Sequence, residues 1–221
     1  IEDRFPTGRP DFASVGAQMV ADVEPFERMK LRMLNGSHST LAYLGYLAGH
    51  ETVSAAMADA PFARLVHGLM TEEVMPTLEI PVAELSAYRD ALIERFRNPA
   101  LKHRTWQIAM DGSQKLPQRV LATLSDRLSH GLPIETHAMI VAAWMRYVTG
   151  IDEAGASIDV RDPLADVLAT TAAETGPDRL ASALLDMRQV FGELGRDERV
   201  RAAVTEALRR LYELGAARAC R

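Results

Sequence analysis

Cysteine is almost missing from this chain of 221 residues: Cys220 is the only one. A single thiol excludes an internal disulfide and a zinc–thiolate cluster, and it fits a reducing cytoplasmic setting. Placed next to the C-terminus, it is expected in a frayed end. Aromatic residues are also scarce at 6%, while Ala, Leu and Met abound, which favours helix over sheet. Nothing approaches the roughly 18 unbroken apolar residues of a membrane helix; Ala138 to Met145 is among the longest runs. There is no basic run either. With 25 Lys and Arg against 30 Asp and Glu, the net charge is −5, which argues against a nucleic-acid partner. The start, Ile1-Glu2-Asp3-Arg4, has neither a methionine nor the pattern of a signal peptide, so a processed product or a piece of a longer protein is expected.

The usual catalytic motifs are absent as well. The sequence has no G-x-G-x-x-G for a dinucleotide, no G-x-x-x-x-G-K-[ST] for a triphosphate and no G-x-S-x-G for a nucleophilic serine. None of the five tyrosines is followed four residues later by lysine, which excludes the Tyr/Lys pair of short-chain dehydrogenases. The six histidines never fall as H-x-x-x-H, and one cysteine cannot complete a zinc site of the alcohol-dehydrogenase type. By itself the chain has no loop to hold a nucleotide.

What is there is helix. Apolar residues make up 48%, enough for a sizeable core. Ile1 to Pro10 reads as a linker. Phe26 to Ala48 carries Met29, Met33, Leu34, Leu41, Leu44 and Leu47 at helical spacings and stops at Gly49. Further helices are predicted at Thr52–Ala58, Pro61–Pro76, Ala83–Arg97, Leu101–Met110 and Pro117–His130. Glu135–Tyr147, apolar on every side, is predicted to be the central buried one. Pro163–Thr175, Pro177–Leu194 and Asp197–Leu214 complete the set. The prediction is an all-α domain of about ten helices, with one small hairpin near residues 150–162 built on Ile151 and Ser157–Val160.

Chemistry concentrates in Met29-Lys30-Leu31-Arg32-Met33-Leu34-Asn35-Gly36-Ser37-His38-Ser39. At roughly 100° per residue, Asn35 lies about 140° from Lys30 and His38 about 80°. One broad face then shows an amine, an amide and an imidazole. Such a set suits alcohol–ketone interconversion without a metal. A lysine partly buried against Leu34 and Met33 is a usable base near neutral pH, and Asn and His donate hydrogen bonds to a developing alkoxide. The plainer alternative is a helix-edge lysine, a capping Asn and a His satisfied in the core. Gly36 costs about 1 kcal/mol in a helix relative to Ala, which points to another backbone or a ligand in close approach.

The run from Phe26 to Ser39, continued by Leu41-Ala42-Tyr43-Leu44-Gly45-Tyr46-Leu47-Ala48-Gly49, resembles the signature of the mannitol dehydrogenase family, the polyol-specific long-chain dehydrogenases. Glu94-Arg95-Phe96 with Asn98-Pro99, Ile108 to Lys115 and Gly150-Ile151-Asp152-Glu153 extend the resemblance over essentially the whole chain. It implies a multi-helical C-terminal substrate domain like that of 6-phosphogluconate dehydrogenase. Residues 1–24 would arrive from an N-terminal Rossmann domain that binds NAD, and residues 25–221 would form the substrate-binding and catalytic domain. The family's K-x-x-x-x-N-x-x-H falls on Lys30 as base, with Asn35 and His38 as hydroxyl-contacting partners. Asp111-Gly112-Ser113-Gln114-Lys115 is similar to its other substrate-facing stretch, where Lys115 matches. Gln107 departs from an Arg of a mannitol-oxidising member, and Asp111 and Gln107 join Lys115 as implied substrate contacts.

The wording from His103 to Arg119 is most similar to the branch of that family that interconverts D-fructuronate and D-mannonate. A uronate carries a carboxylate and needs a cationic or multi-donor partner. Arg104, Lys115 and Arg119 are the candidates, each with a solvated helix face as the alternative. Mannitol 2-dehydrogenase is the rival within the family, and a free-standing helical binding module is the rival outside it. His50, His67, His130 and His137 are expected at the surface or satisfied in the core. Trp106 and Trp144 are expected in packing.

Overall fold

The computed structural model describes residues 1–220. Helices hold 69% of the chain and no sheet forms among the described residues, so the all-α class is as expected. In chain order the first α-helices are α1 (Glu24–Met29), α2 (Gly36–Leu47), α3 (Val53–Ala58), α4 (Ala60–Gly68) and α5 (Val82–Arg97). There follow α6 (Thr105–Ala109), α7 (Gly112–Leu116), α8 (Ala122–Ser129) and α9 (Glu135–Tyr147). The last are α10 (Ala165–Leu185), α11 (Arg188–Phe191), α12 (Glu198–Leu214) and α13 (Ala216–Ala219). Three wider π-helical turns are spliced in: π1 (Lys30–Asn35), π2 (Leu69–Val74) and π3 (Pro117–Leu121).

The core is built around α9, which packs against α2 and α12. Its apolar sequence leaves no polar stripe, and Ala138 through Met145 are all buried. By contrast α12 is amphipathic: Val200, Val204, Ala207, Leu208 and Leu211 recur at helical spacing and are the buried ones. Asp197 caps it by accepting from the Arg199 and Val200 amides at 2.9 and 3.3 Å. Gly215, at φ +73°, ends it.

Four expectations need correcting. The segment Phe26–Ala48 is one helical run, but π1 widens it in the middle. The helix expected over Pro177–Leu194 ends at Leu185, and Gly176, at φ +66° and ψ 176°, breaks α10 where two helices were expected. The hairpin reduces to one isolated antiparallel bridge, Ile151 to Ser157. Side chains hold that turn instead of strands: the Asp152 carboxylate accepts from the Ala154 and Ala156 amides, and Arg146 donates to the Ile151 and Asp152 carbonyls. Cys220 does not lie in a frayed end. Glu153 accepts the Ala216 amide at 2.6 Å, and α13 packs against α2. Burial, and then the carboxylates of Asp59 and Glu153, push the Cys220 thiol up to about 12.

His137 is satisfied in the core, bonded through Nδ1 to Glu73 at 2.5 Å. Glu73 also accepts the Thr136 and His137 amides, so a residue of π2 caps the N-terminus of α9, whose own preceding residue supplies no cap. Burial pushes this carboxyl up, but the bonds from His137 and Thr136 outweigh it and hold the group below its ordinary 4.5. A carboxyl depressed in the folded state stabilises the fold above its ordinary value, and that contribution is lost as pH falls through the folded one. Glu73→Gln is therefore expected to cost about 1–3 kcal/mol at pH 7 and distinctly less at pH 4. Urea unfolding at the two pH values measures it; an equal loss at both would show that the charge has no part. Among the described residues no helix is long and apolar enough to cross a membrane.

Candidate functional site

π1 and the first turn of α2 carry Lys30, Asn35 and His38. The Gly36 amide donates to the Leu31 carbonyl five residues back, the bond that defines a π turn. With about five residues closing each such bond, Asn35 returns to nearly the same side as Lys30, closer than the α-helical spacing predicts. The widening falls where a second helical run presses in. A Cβ on Gly36 would lie 2.9 Å from the Arg119 carbonyl oxygen of π3, so only glycine admits this contact. The sequence had pointed to such an approach, and its partner is backbone.

The plainer readings of Asn35 and His38 fail on specific atoms. Asn35, half-buried just before α2, makes no side-chain capping bond. His38 is mostly buried, yet its Nε2 has no hydrogen-bond partner among the described residues. Burial first, and then the neighbouring basic groups His103, Arg119, Arg95 and Lys30, pull its pKa down to about 4. The ring is thus neutral at physiological pH and keeps one hydrogen bond to give or take. Lys30 corrects the reading made of it. It is exposed rather than tucked against Leu34 and Met33, because Met33 turns fully into the core on the other side of the run.

The Phe96 ring stands 4.8 Å from that of His38, and His103 stands 5.9 Å away edge-on. Arg95, Phe96 and His103 were not predicted at the site. The signal was available, since Glu94-Arg95-Phe96 and His103-Arg104 lie inside the strings that carry the family resemblance.

Asp111, at φ +55°, is the one non-glycine residue with a left-handed backbone among those described, and it turns the chain into α7. Lys115 donates from Nζ to the Met110 carbonyl at 2.7 Å and lies 3.5 Å from Asp111. This pair is a second cluster, close to Tyr43, whose ionisation burial opposes first and the charge of Asp111 further. Asp162 docks on the start of α7, accepting the Ser113 amide and hydroxyl at 2.8 and 2.5 Å. Arg104 and Gln107 are exposed. Arg104 precedes α6 and is bridged to Thr52, and it is not among the charges acting on His38. Trp144 is core, and Trp106 donates to the Asp159 carbonyl, so both serve packing. Among the described residues no group of three or more His, Cys, Asp and Glu could hold a metal ion.

Residues 22–212 match the model of the mannitol dehydrogenase C-terminal domain. The chain belongs to the mannitol dehydrogenase family. It is 52% identical to D-mannonate oxidoreductase of Escherichia coli (strain K12), covering 98% of this chain and 45% of that protein. It is 40% identical to mannitol 2-dehydrogenase of Aspergillus fumigatus, over 94% and 42%. Mannitol 2-dehydrogenase of Pseudomonas fluorescens, solved as a ternary complex with NAD and D-mannitol, superposes with a TM-score of 0.90 at 32% identity. That match covers 99% of this chain and 44% of the solved one. The chain thus spans less than half the length of these relatives, and its fold matches the part of the solved structure that it covers.

Proposed function

We propose that this chain is the substrate half of an NAD-dependent oxidoreductase that interconverts a keto sugar acid and its alcohol, D-fructuronate and D-mannonate. One observation carries the reading: the buried Nε2 of His38, in the first turn of α2 just past the π turn that carries Lys30 and Asn35, is unpartnered among the described residues. An orphaned polar atom in a dry place is costly unless a ligand completes it. A sugar hydroxyl or carbonyl is such a ligand. No dinucleotide loop occurs in this sequence, so the nucleotide falls to an N-terminal domain of a longer protein, which residues 1–24 would join to the helical domain of residues 25–221. When bound, the nicotinamide supplies or accepts the hydride.

In the reducing direction hydride arrives at the carbonyl carbon, and the C=O π pair moves onto oxygen. The Lys30 ammonium donates its proton to that oxygen, giving the alcohol and a neutral amine. Being exposed, the amine recovers its proton from solvent. Asn35 and neutral His38 hold the oxygen or a neighbouring hydroxyl by hydrogen bonds that strengthen as charge develops. The acid end of the substrate is supported by the surroundings of His38, where the groups acting on it include Arg119, Arg95 and Lys30 and no carboxylate. The relative named D-mannonate oxidoreductase supports the same choice.

The test is NADH oxidation by the full-length protein with D-fructuronate and with D-fructose. Fructuronate is expected to be favoured by about 100-fold or more in kcat/KM, the scale that one buried charge-assisted contact provides. Preference for fructose would make the protein a mannitol 2-dehydrogenase, and no turnover of either would end the reading. NADPH in parallel decides the nucleotide.

A further inference from the structure

Three basic residues in the stretch from His103 to Arg119 were candidates for the carboxylate, and their surroundings separate them. Arg104 is exposed and bridged to Thr52, and it is not among the charges acting on His38. Lys115 is already engaged by the Met110 carbonyl and by Asp111. Arg119 is different. It sits on π3, half-buried, with its own carbonyl against Gly36, two residues before His38. Its guanidinium forms no salt bridge or hydrogen bond among the described residues, although twelve other arginines here have a carboxylate partner. Desolvation pulls its pKa below the ordinary guanidinium value, and no carboxylate counters that. Its field reaches the buried imidazole of His38 and the buried Tyr43 hydroxyl.

A guanidinium taken out of water and left without a counter-charge is unfavourable, and an anion presented in its plane relieves that cost through two parallel charge-assisted bonds. Resting on the sugar-acid reading above, we propose that Arg119 is the specificity residue that receives the substrate's carboxylate. Placed at the far end of a six-carbon chain from the reacting oxygen, the carboxylate anchors the sugar while Lys30, Asn35 and His38 meet the oxygen. Arg95 is a second cation acting on His38, and it lines an open cavity of about 580 Å³ with Ala91, Glu94 and Asn98. It adds attraction for an anion.

D-Mannonate and D-mannitol form a matched pair, differing at one terminal carbon: a carboxylate against a hydroxymethyl group. In the full-length protein, Arg119→Gln is expected to lower kcat/KM for mannonate oxidation by about 100-fold and for mannitol by less than about 10-fold. The selectivity ratio therefore falls by at least tenfold. Mannitol turnover in the same variant reports that the fold is intact. Arg119→Lys keeps the charge but not the fork and is expected to recover only part of the loss. Titration calorimetry with mannonate is expected to show the matching loss of affinity in the Gln variant. Equal losses on both substrates, or an unchanged ratio, would overturn the assignment. Failure of the wild type to oxidise mannonate while Arg119→Gln binds it as wild type does would overturn the assignment and the sugar-acid reading together. A wild type that prefers mannonate with an Arg119→Gln ratio unchanged overturns the assignment alone.

Discussion

Lys30→Ala, made in the full-length protein, is expected to lower kcat for NADH-linked reduction by about 1,000-fold, within the range that a positioned general acid contributes. Affinity for NADH is expected to change far less, because this lysine belongs to the substrate half. The thermal midpoint should hold too: the side chain is exposed and takes part in no ion pair among the described residues, so little packing goes with it. That combination separates chemistry from folding. A variant that turns over at the wild-type rate would remove Lys30 from the mechanism. A variant that loses rate and stability together would show that the residue holds π1 in shape instead. His38 makes a useful contrast. Its pKa of about 4 leaves the ring neutral from pH 6 upward, so an inflection in rate above that pH does not come from His38.

Much of this molecule could be read before the fold was known, and the limits have identifiable causes. The bounds of α12 follow from its apolar period and from Asp197 and Gly215 at its ends, which act over a few neighbours, and α9 was legible from its unbroken apolar run. The identity of the Lys30–Asn35–His38 set was equally local. Its shape was not. The π turn ends where the Arg119 carbonyl, distant in sequence, meets Gly36. Spacing in a lone helix placed Lys30 too deep, where the structure leaves it exposed. Arg95, Phe96 and His103 illustrate the same limit. They come from α5 and the loop after it, well over fifty residues beyond His38, and only tertiary packing brings them to its ring. Cys220 was misjudged for a related reason: proximity to a chain end says nothing of Glu153, far off in sequence, which fastens the last helix.

Gly112→Ala tests how tightly the second motif is built. A Cβ there would lie 2.4 Å from Trp144 Nε1 and 2.6 Å from the Tyr43 hydroxyl, both inside any allowed contact. Neither ring has room to retreat. Trp144 and Tyr43 are among the largest fully buried side chains; Trp144 stacks edge-on against Phe191, and Tyr43 donates to the Ala109 carbonyl. Relief must come from α7 lifting off the core, at the upper end of overpacking costs, about 3 kcal/mol. For a chain of this size that lowers the melting temperature by roughly 6–12 °C. The same lift displaces π3, which continues directly from α7, and with it Arg119. Activity on the sugar acid should therefore fall even at temperatures where the variant remains folded. Gln114→Ala, two residues on and exposed, is the control, with an expected change within about 0.5 kcal/mol. If Gly112→Ala melts within about 2 °C of the wild type, the contact is softer than its distances imply, and α7 is free to shift without disturbing the core.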